Sequence, residues 1–276
     1  LVIGYGGIKN SNKDISAIYG NGVITSSESY LDIVNSEYSE GSIVSINVSI
    51  SDYYGSRVGV RAVGSRDLAL FLGGKTDNTF TGDVRIGSGH RLFLDKDYGK
   101  VAILGDLYLG KGSRTNISHG GQLSKKSNVI LSNSYIALGI SDKGSYNPIE
   151  ESFNRLVVEG ESVIDFHFYV DDRAFNGLSS IVLNDLWVKE GGLLRLENWE
   201  FGRGSQLLVR KDSVHLKDSL RRIRFDEYKE ARAELEEYDR DYWKIIPAFP
   251  EPSAYGAALG LVGVGLFVWR RKRSVQ

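Results

Sequence analysis

The residues best suited to chemistry in this chain are acidic. Asp171-Asp172 follows the apolar segment HFYV, and Asp165 lies just upstream. Paired carboxylates on the face of a β-structure would hold calcium, or serve a polysaccharide lyase or glycosidase as acid and base. Neighbouring residues of one strand point to opposite faces, so a loop would have to bring these carboxylates together. The four histidines, His90, His119, His167 and His215, are far apart, and none has a second His or a carboxylate at a helical metal-ligand spacing. They read as ordinary turn or strand-surface residues. Gly110-Lys111-Gly112-Ser113 echoes a phosphate loop but lacks the GxxxxGK[ST] spacing and a following helix, so it reads as a turn. No GxSxG elbow occurs, and the absence of cysteine removes thiolate nucleophiles, disulfides and cysteine-ligated metals. Tyr53, Tyr54, Tyr108, Tyr135 and Trp187 would stack on sugar rings, although such aromatics more often pack along a sheet surface. No catalytic, cofactor-binding or metal-binding residue is assigned, and the chain does not read as an enzyme.

The elements that would position these residues are strands. The 34 basic and 35 acidic residues nearly cancel, which removes the case for a basic nucleic-acid surface. Gly is abundant (32) and Pro scarce (4), the usage of short strands cut by glycine turns. From Leu1 to about Val209, apolar runs such as SIVSINVSI, DLALFL, HRLFLD, KVAILGDLYLG and SIVLNDLWV alternate with Gly, Asn, Asp and Ser. Two-residue hairpins favour Asn-Gly or Asp-Gly, and only Asn21-Gly22 and Asn176-Gly177 qualify. Glycine corners with so few hairpin turns predict an all-β fold, a right-handed parallel β-helix over residues 1–210, with a β-sandwich as the alternative. In such a solenoid Val84, Ile86, Leu92, Leu94, Val101, Ile103, Leu194 and Leu196 point inward, and Arg85, Phe93, Ala102 and Arg195 point outward. The opening LVIGYGGIKN has no initiator, basic n-region or long apolar stretch, so it does not read as a signal peptide. The chain reads as an N-terminally truncated fragment whose export signal would lie upstream of Leu1.

After Gly204 no glycine appears until Gly256. Residues 211–249 read as capping strands with a charged helix or loop. One strand is expected at Arg222 to Phe225, an exposed helix or loop at Glu227 to Tyr238, and a final strand at Tyr242 to Ile246 that closes the stack.

The C-terminus carries a different signal. Residues 253–269 are uncharged and just long enough to cross a bilayer as a transmembrane helix, and Arg270, Arg271, Lys272 and Arg273 follow at once. The basic cluster would stay cytoplasmic and leave everything before Pro252 on the far side of the membrane. Pro250, Glu251 and Pro252 force an extended backbone, which a processing enzyme needs. The Pro-Glu-Pro, the glycine-rich span and the arginine-rich tail over 250–276 resemble the PEP-CTERM sorting signal. That resemblance implies an exosortase as processing partner, contact with membrane lipid through 253–269, and a membrane-anchored precursor delivered to the cell surface, outer envelope or medium. Ser253-Ala254-Tyr255 departs from the Ser-Thr-Tyr of many members. Upstream, LWVKEGGLLRLENW and DYWKIIPAFPEPSAYGA, together with residues 58–94, resemble autotransporter-associated β-strand-repeat proteins. They imply an exported structural or adhesin-like solenoid that is a substrate rather than an enzyme, with exopolysaccharide as a candidate partner, no nucleic acid and no cofactor.

Three functions compete on these residues. The first is the exported structural or adhesin-like solenoid. The second is a secreted β-helix that binds or degrades polysaccharide, which would be marked by two or three carboxylates and a basic residue on one face beside exposed aromatics. The third is a permanently tail-anchored protein.

Overall fold

The computed structural model describes residues 1–4, 7–10, 15–35, 41–64, 67–139, 149–166, 179–199, 205–228 and 231–248. These residues form a β-solenoid of about seven turns. One wall is a nine-stranded, wholly parallel sheet running from Ile15–Ile18 through Ser42–Ile46, Leu68–Gly74, Arg91–Lys96, Arg114–Ile117, Tyr135–Leu138, Glu161–Asp165 and Leu193–Glu197 to Ile223–Phe225. The second wall is eleven-stranded and starts at Ile8–Asn10. It is parallel up to Gln206–Arg210, where Tyr242–Ala248 and Arg232–Glu237 add two antiparallel strands. A three-stranded sheet of Val2–Ile3, Val23–Ser26 and Ser49–Ile50 begins a third, shorter face. Corners near Asn78, Ala102 and Gln122 continue that face by backbone hydrogen bonds such as Asn78 N–H to Val101 O and Ala102 N–H to Gln122 O. The parallel ladders through both walls exclude the sandwich alternative.

Coil length follows from the register: Leu107 pairs with Val129, 22 residues on, and Leu156 with Leu186, 30 residues on. Period-two alternation then stacks like on like. Leu31, Val60, Val84, Leu107, Val129, Leu156 and Leu186 form one continuous inward column, and every member is fully buried. Each such side chain contributes about 1.5–3 kcal/mol, against about 0–1 kcal/mol for a surface ion pair. The interior columns therefore hold the stack together, and the outer charge ladders tune it.

The inward assignments of Val84, Ile86, Leu92, Leu94, Ile103, Leu194 and Leu196 match the structure, as does the outward placement of Arg85, Phe93 and Arg195. The segment around Ala102 differs. Ala102 is buried beside Ile103, and Val101 is half-buried, because residues 101–103 form a corner and not a strand. The N–H groups of Ala102 and Ile103 both donate to Gln122 O, at 2.8 and 3.1 Å, which bends the chain and breaks the alternation.

The final strand appears as Tyr242–Ala248, and the strand expected at Arg222 to Phe225 as Ile223–Phe225. Where an exposed helix or loop is expected within Glu227 to Tyr238, the structure has the edge strand Arg232–Glu237. Its composition favours a helix, but pairing with Tyr242–Ala248 buries Ala233 and partly buries Leu235 on one face, and that tertiary pairing overrides a weak local preference. The one short helix among the described residues is Leu216–Leu220. The sorting motif, the 253–269 span and the basic cluster lie outside the described residues. Among the described residues no helix is long and apolar enough to cross a membrane.

Candidate binding surface

On the outer side of the nine-stranded wall the register aligns Arg91, Arg114, Tyr135, Val163, Arg195 and Arg224 in one column. Two residues further along each strand, Phe71, Phe93, Asn116, Ala137, Asp165 and Glu197 form a second column. Phe71 and Phe93 stack face to face at 4.1 Å. Arg91 forms a two-point pair with Asp67 at 3.2 and 2.9 Å. Arg195 is held by Asp226, by Glu161 at 3.2 Å and by Glu197 at 3.1 Å, and these carboxylates keep its guanidinium above the ordinary arginine range. Arg114 lies over the Tyr135 ring at 5.3 Å. The Tyr135 hydroxyl donates to Asp165, whose other oxygen accepts from Asn198 Nδ2 at 2.7 Å. Burial and that bond to an anion push the phenol well above its usual pKa.

Glu161, Glu197 and Asp226 thus gather around Arg195, with Asp165 on Tyr135 beside them. The carboxylates and the basic residue match the mark of a polysaccharide-directed solenoid, but the aromatic is half-buried and not exposed. Burial, followed by the nearby Asp226 and Asp165, raises the Glu197 carboxyl above the usual range despite Arg195. The cluster is closed on itself, because Arg195, Tyr135 and Asn198 already engage its carboxylates. Two shallow grooves flank it. One, of about 380 Å³, is lined by Arg114, Asn133, Tyr135, Glu161 and Val163 among others. The other, of about 350 Å³, is lined by Glu161, Leu193, Arg195, Arg224, Phe225 and Asp226. Glu161 belongs to both.

The eleven-stranded wall carries its own ladders. Arg61 pairs with Asp32 and covers the Tyr30 ring, and Arg85 donates to the Tyr30 hydroxyl at 3.0 Å and covers Tyr108 at 4.2 Å. Asn184, Asn154 and Asn128 pass amide bonds down to Asp106. Near the C-terminal end His215 stacks on Trp187 at 4.6 Å and faces Asp185 through Nδ1 at 2.8 Å. Ser213 also donates to Asp185, at 2.6 Å. Serine, histidine and aspartate meet here without forming a nucleophilic triad, since the hydroxyl and the imidazole both spend themselves on the carboxylate and the imidazole does not take the hydroxyl proton. Burial raises Asp185, but the bonds from Ser213 and His215 outweigh it and hold the carboxyl below its ordinary value.

Inside the coil, at the third corner, sits a polar stack that the sequence did not reveal. Asn78 accepts from Ile50 N–H at 3.0 Å and donates to Ala102 O at 2.8 Å. Gln122 exchanges two bonds of 3.0 Å with the backbone of Lys96. Glu151 accepts from the N–H groups of Gln122 at 2.7 Å and Leu123 at 3.2 Å. These side chains replace ladder bonds where the third face has no strands. A polar residue beside a turn reads from sequence as solvent-exposed, so only spacing across whole coils would have pointed to it.

Of the residues singled out in the sequence, Asp165 joins Tyr135 on the outer face, while Asp171, Asp172 and His167 lie outside the described residues. His119 sits near Asp95 at 3.7 Å. His90 is not at the surface. Its ring packs over Gly87, where a Cβ would come within 3.1 Å, and burial lowers its pKa. No group of histidines and carboxylates among the described residues is arranged to hold a metal. Gly110 to Ser113 is a turn, closed by Ser113 N–H to Gly110 O at 3.0 Å. Tyr54 is almost wholly exposed, with its ring edge-on to Tyr53. No protein-family model, curated protein or solved structure matches this chain.

Proposed function

We propose that this chain is an exported structural or adhesin-like solenoid, wound right-handed, which reaches the cell surface or medium through its PEP-CTERM-like tail as the substrate of an exosortase. The observation that carries this reading is the order Pro250-Glu251-Pro252, the uncharged span 253–269 and the cluster Arg270, Arg271, Lys272 and Arg273. An extended, proline-locked peptide ahead of a span with a basic cytoplasmic stop suits cleavage at the outer membrane face. The rest of the chain supports the reading. Its stack ends in the antiparallel pair Arg232–Glu237 and Tyr242–Ala248, just ahead of the tail. Its outer face is a series of repeated ladders. A second reading, polysaccharide binding, is favoured by the carboxylates around Arg195 beside Tyr135.

The test is the intact mass of the mature protein from envelope and medium fractions, for the wild type, Glu251→Ala and a tail deletion. Loss of the residues beyond Pro252 in the wild type, with Glu251→Ala held uncut in the inner membrane, is the expected result. A wild-type chain that retains Arg270 to Gln276 and stays in the inner membrane overturns the sorting reading in favour of a permanent tail anchor.

A further inference from the structure

Arg61, Arg85, Arg91, Arg155, Arg195 and Arg210 on the two large walls each face a carboxylate within 3.2 Å. Arg114, on the same nine-stranded wall, faces none among the described residues. It is exposed, and among the described residues its guanidinium meets the Tyr135 ring, with Cζ 5.3 Å from the ring centroid. Tyr135 is in turn fixed by its bond to Asp165, so the guanidinium rests on a braced platform. A planar cation held this way, with its N–H edges unclaimed, is suited to receive a carboxylate at two points.

The surroundings narrow the ligand. Asn133 is exposed and lines the groove, and its Oδ1 accepts from Glu161 N–H at 3.1 Å. Glu161 has a side chain 58% exposed at the seam of the two grooves, with Oε1 accepting from Arg195 Nη1 at 3.2 Å. Val163 and Leu193 are half-buried between these polar groups and offer an apolar floor for the C–H face of a sugar ring. Arg224 ends the column four rungs from Arg114 and faces backbone carbonyls, not carboxylates. At about 4.8 Å per rung the trough runs about 19 Å along the solenoid, the length of a short run of sugars and not of one.

We infer that the trough from Arg114 to Arg224 binds an extended acidic glycan, with a uronate carboxylate on Arg114, ring hydroxyls between Asn133 and Glu161, and sugar faces over Val163 and Leu193. The inference deepens the surface reading by naming the ligand class and the face that meets it, and it rests on that reading for its biological setting.

The test is affinity electrophoresis and calorimetry of the full chain, purified in detergent, with polygalacturonate and with neutral dextran. The wild type is expected to bind polygalacturonate and not dextran, with affinity falling as salt rises. Arg114→Ala is expected to lower affinity at least tenfold with unchanged circular dichroism, since the side chain is exposed. Arg85→Ala, an equally cationic change on the opposite wall, is expected to leave it unaltered. Absence of polygalacturonate binding, equal binding of dextran, or equal losses in the two variants overturns the inference. Tail processing plays no part in this assay, so a failure to bind sinks this inference alone, and the sorting reading stands or falls on the intact-mass test.

Discussion

Replacing Glu151 by Gln tests how the solenoid closes its third corner. Glu151 is fully buried and accepts from two backbone N–H groups, one on each carboxylate oxygen. An amide presents an NH₂ to one of those donors and leaves a buried N–H without an acceptor, which costs about 1–3 kcal/mol. The second effect depends on pH. Burial outweighs the donated hydrogen bonds and lifts the carboxyl from 4.5 to about 8. Because the folded pKa is the higher one, the folded chain keeps a proton that the unfolded chain has released. The stabilisation is therefore complete below pH 4.5 and is lost as pH rises toward 8. At about 1.4 kcal/mol per pKa unit, that loss reaches about 5 kcal/mol. The variant carries no such slope. In urea titrations of both proteins at several pH values, Glu151→Gln should be less stable than the wild type at pH 5, and the curves should cross so that it is the more stable protein near pH 9. Lys96 titrates in both proteins and cancels in the comparison. A difference that stays constant from pH 5 to 9 would refute the reasoning and mean that the N–H donors keep Glu151 ionised throughout.

Lys96 is fully buried with its amine 3.5 Å from Val48 O, and burial lowers its pKa to about 8. Lys96→Met, an apolar replacement of similar volume, should stabilise the fold by about 1–4 kcal/mol, read as a rise in Tm; a fall would show that the amine is better satisfied than its geometry implies. A Cβ on Gly105 would stand 2.2 Å from Gly82 O in the preceding coil, so Gly105→Ala should cost about 3 kcal/mol or more. Gly22→Ala, with open space around it, should stay within about 0.5 kcal/mol, and equal denaturation midpoints for the two variants would contradict this account. The edge strand Arg232–Glu237 presents Glu234 and Glu236 to solvent, which blunts edge pairing. Glu234→Val/Glu236→Val should increase light scattering at high concentration, and unchanged scattering would mean that these charges do not guard the edge.

Much of this fold is legible in the sequence because a β-coil is governed by a short-range rule. Alternation of apolar and polar residues decides which side chains enter the interior, and burial enforces it, so Val84 and Ile86, Leu92 and Leu94, and Leu194 and Leu196 could be placed inward without knowing what they meet. The rule fails where the backbone turns, as at Ala102, and where a distant strand supplies a stronger reason than local preference, as at Arg232–Glu237.

The binding surface was legible only in part. Tyr135 and Asp165 were visible as residue types, and a cluster of carboxylates with a basic residue was the stated mark of a sugar-directed solenoid. Which carboxylates and which arginine could not be read, because coil length varies from 21 residues (Arg114 to Tyr135) to 32 (Glu161 to Leu193) and a slip of one residue would move Arg114, Glu161 or Arg195 to the other side of the wall. The sequence by itself determined the strand texture, the inward columns and the order of prolines, uncharged span and basic cluster on which the export proposal rests. Tertiary structure alone decided the register that leaves Arg114 over a braced tyrosine with no carboxylate partner among the described residues, and the corner that buries Glu151. Both depend on contacts between residues a full coil apart, where hydrogen-bond and charge partners are set by stacking and not by sequence neighbours.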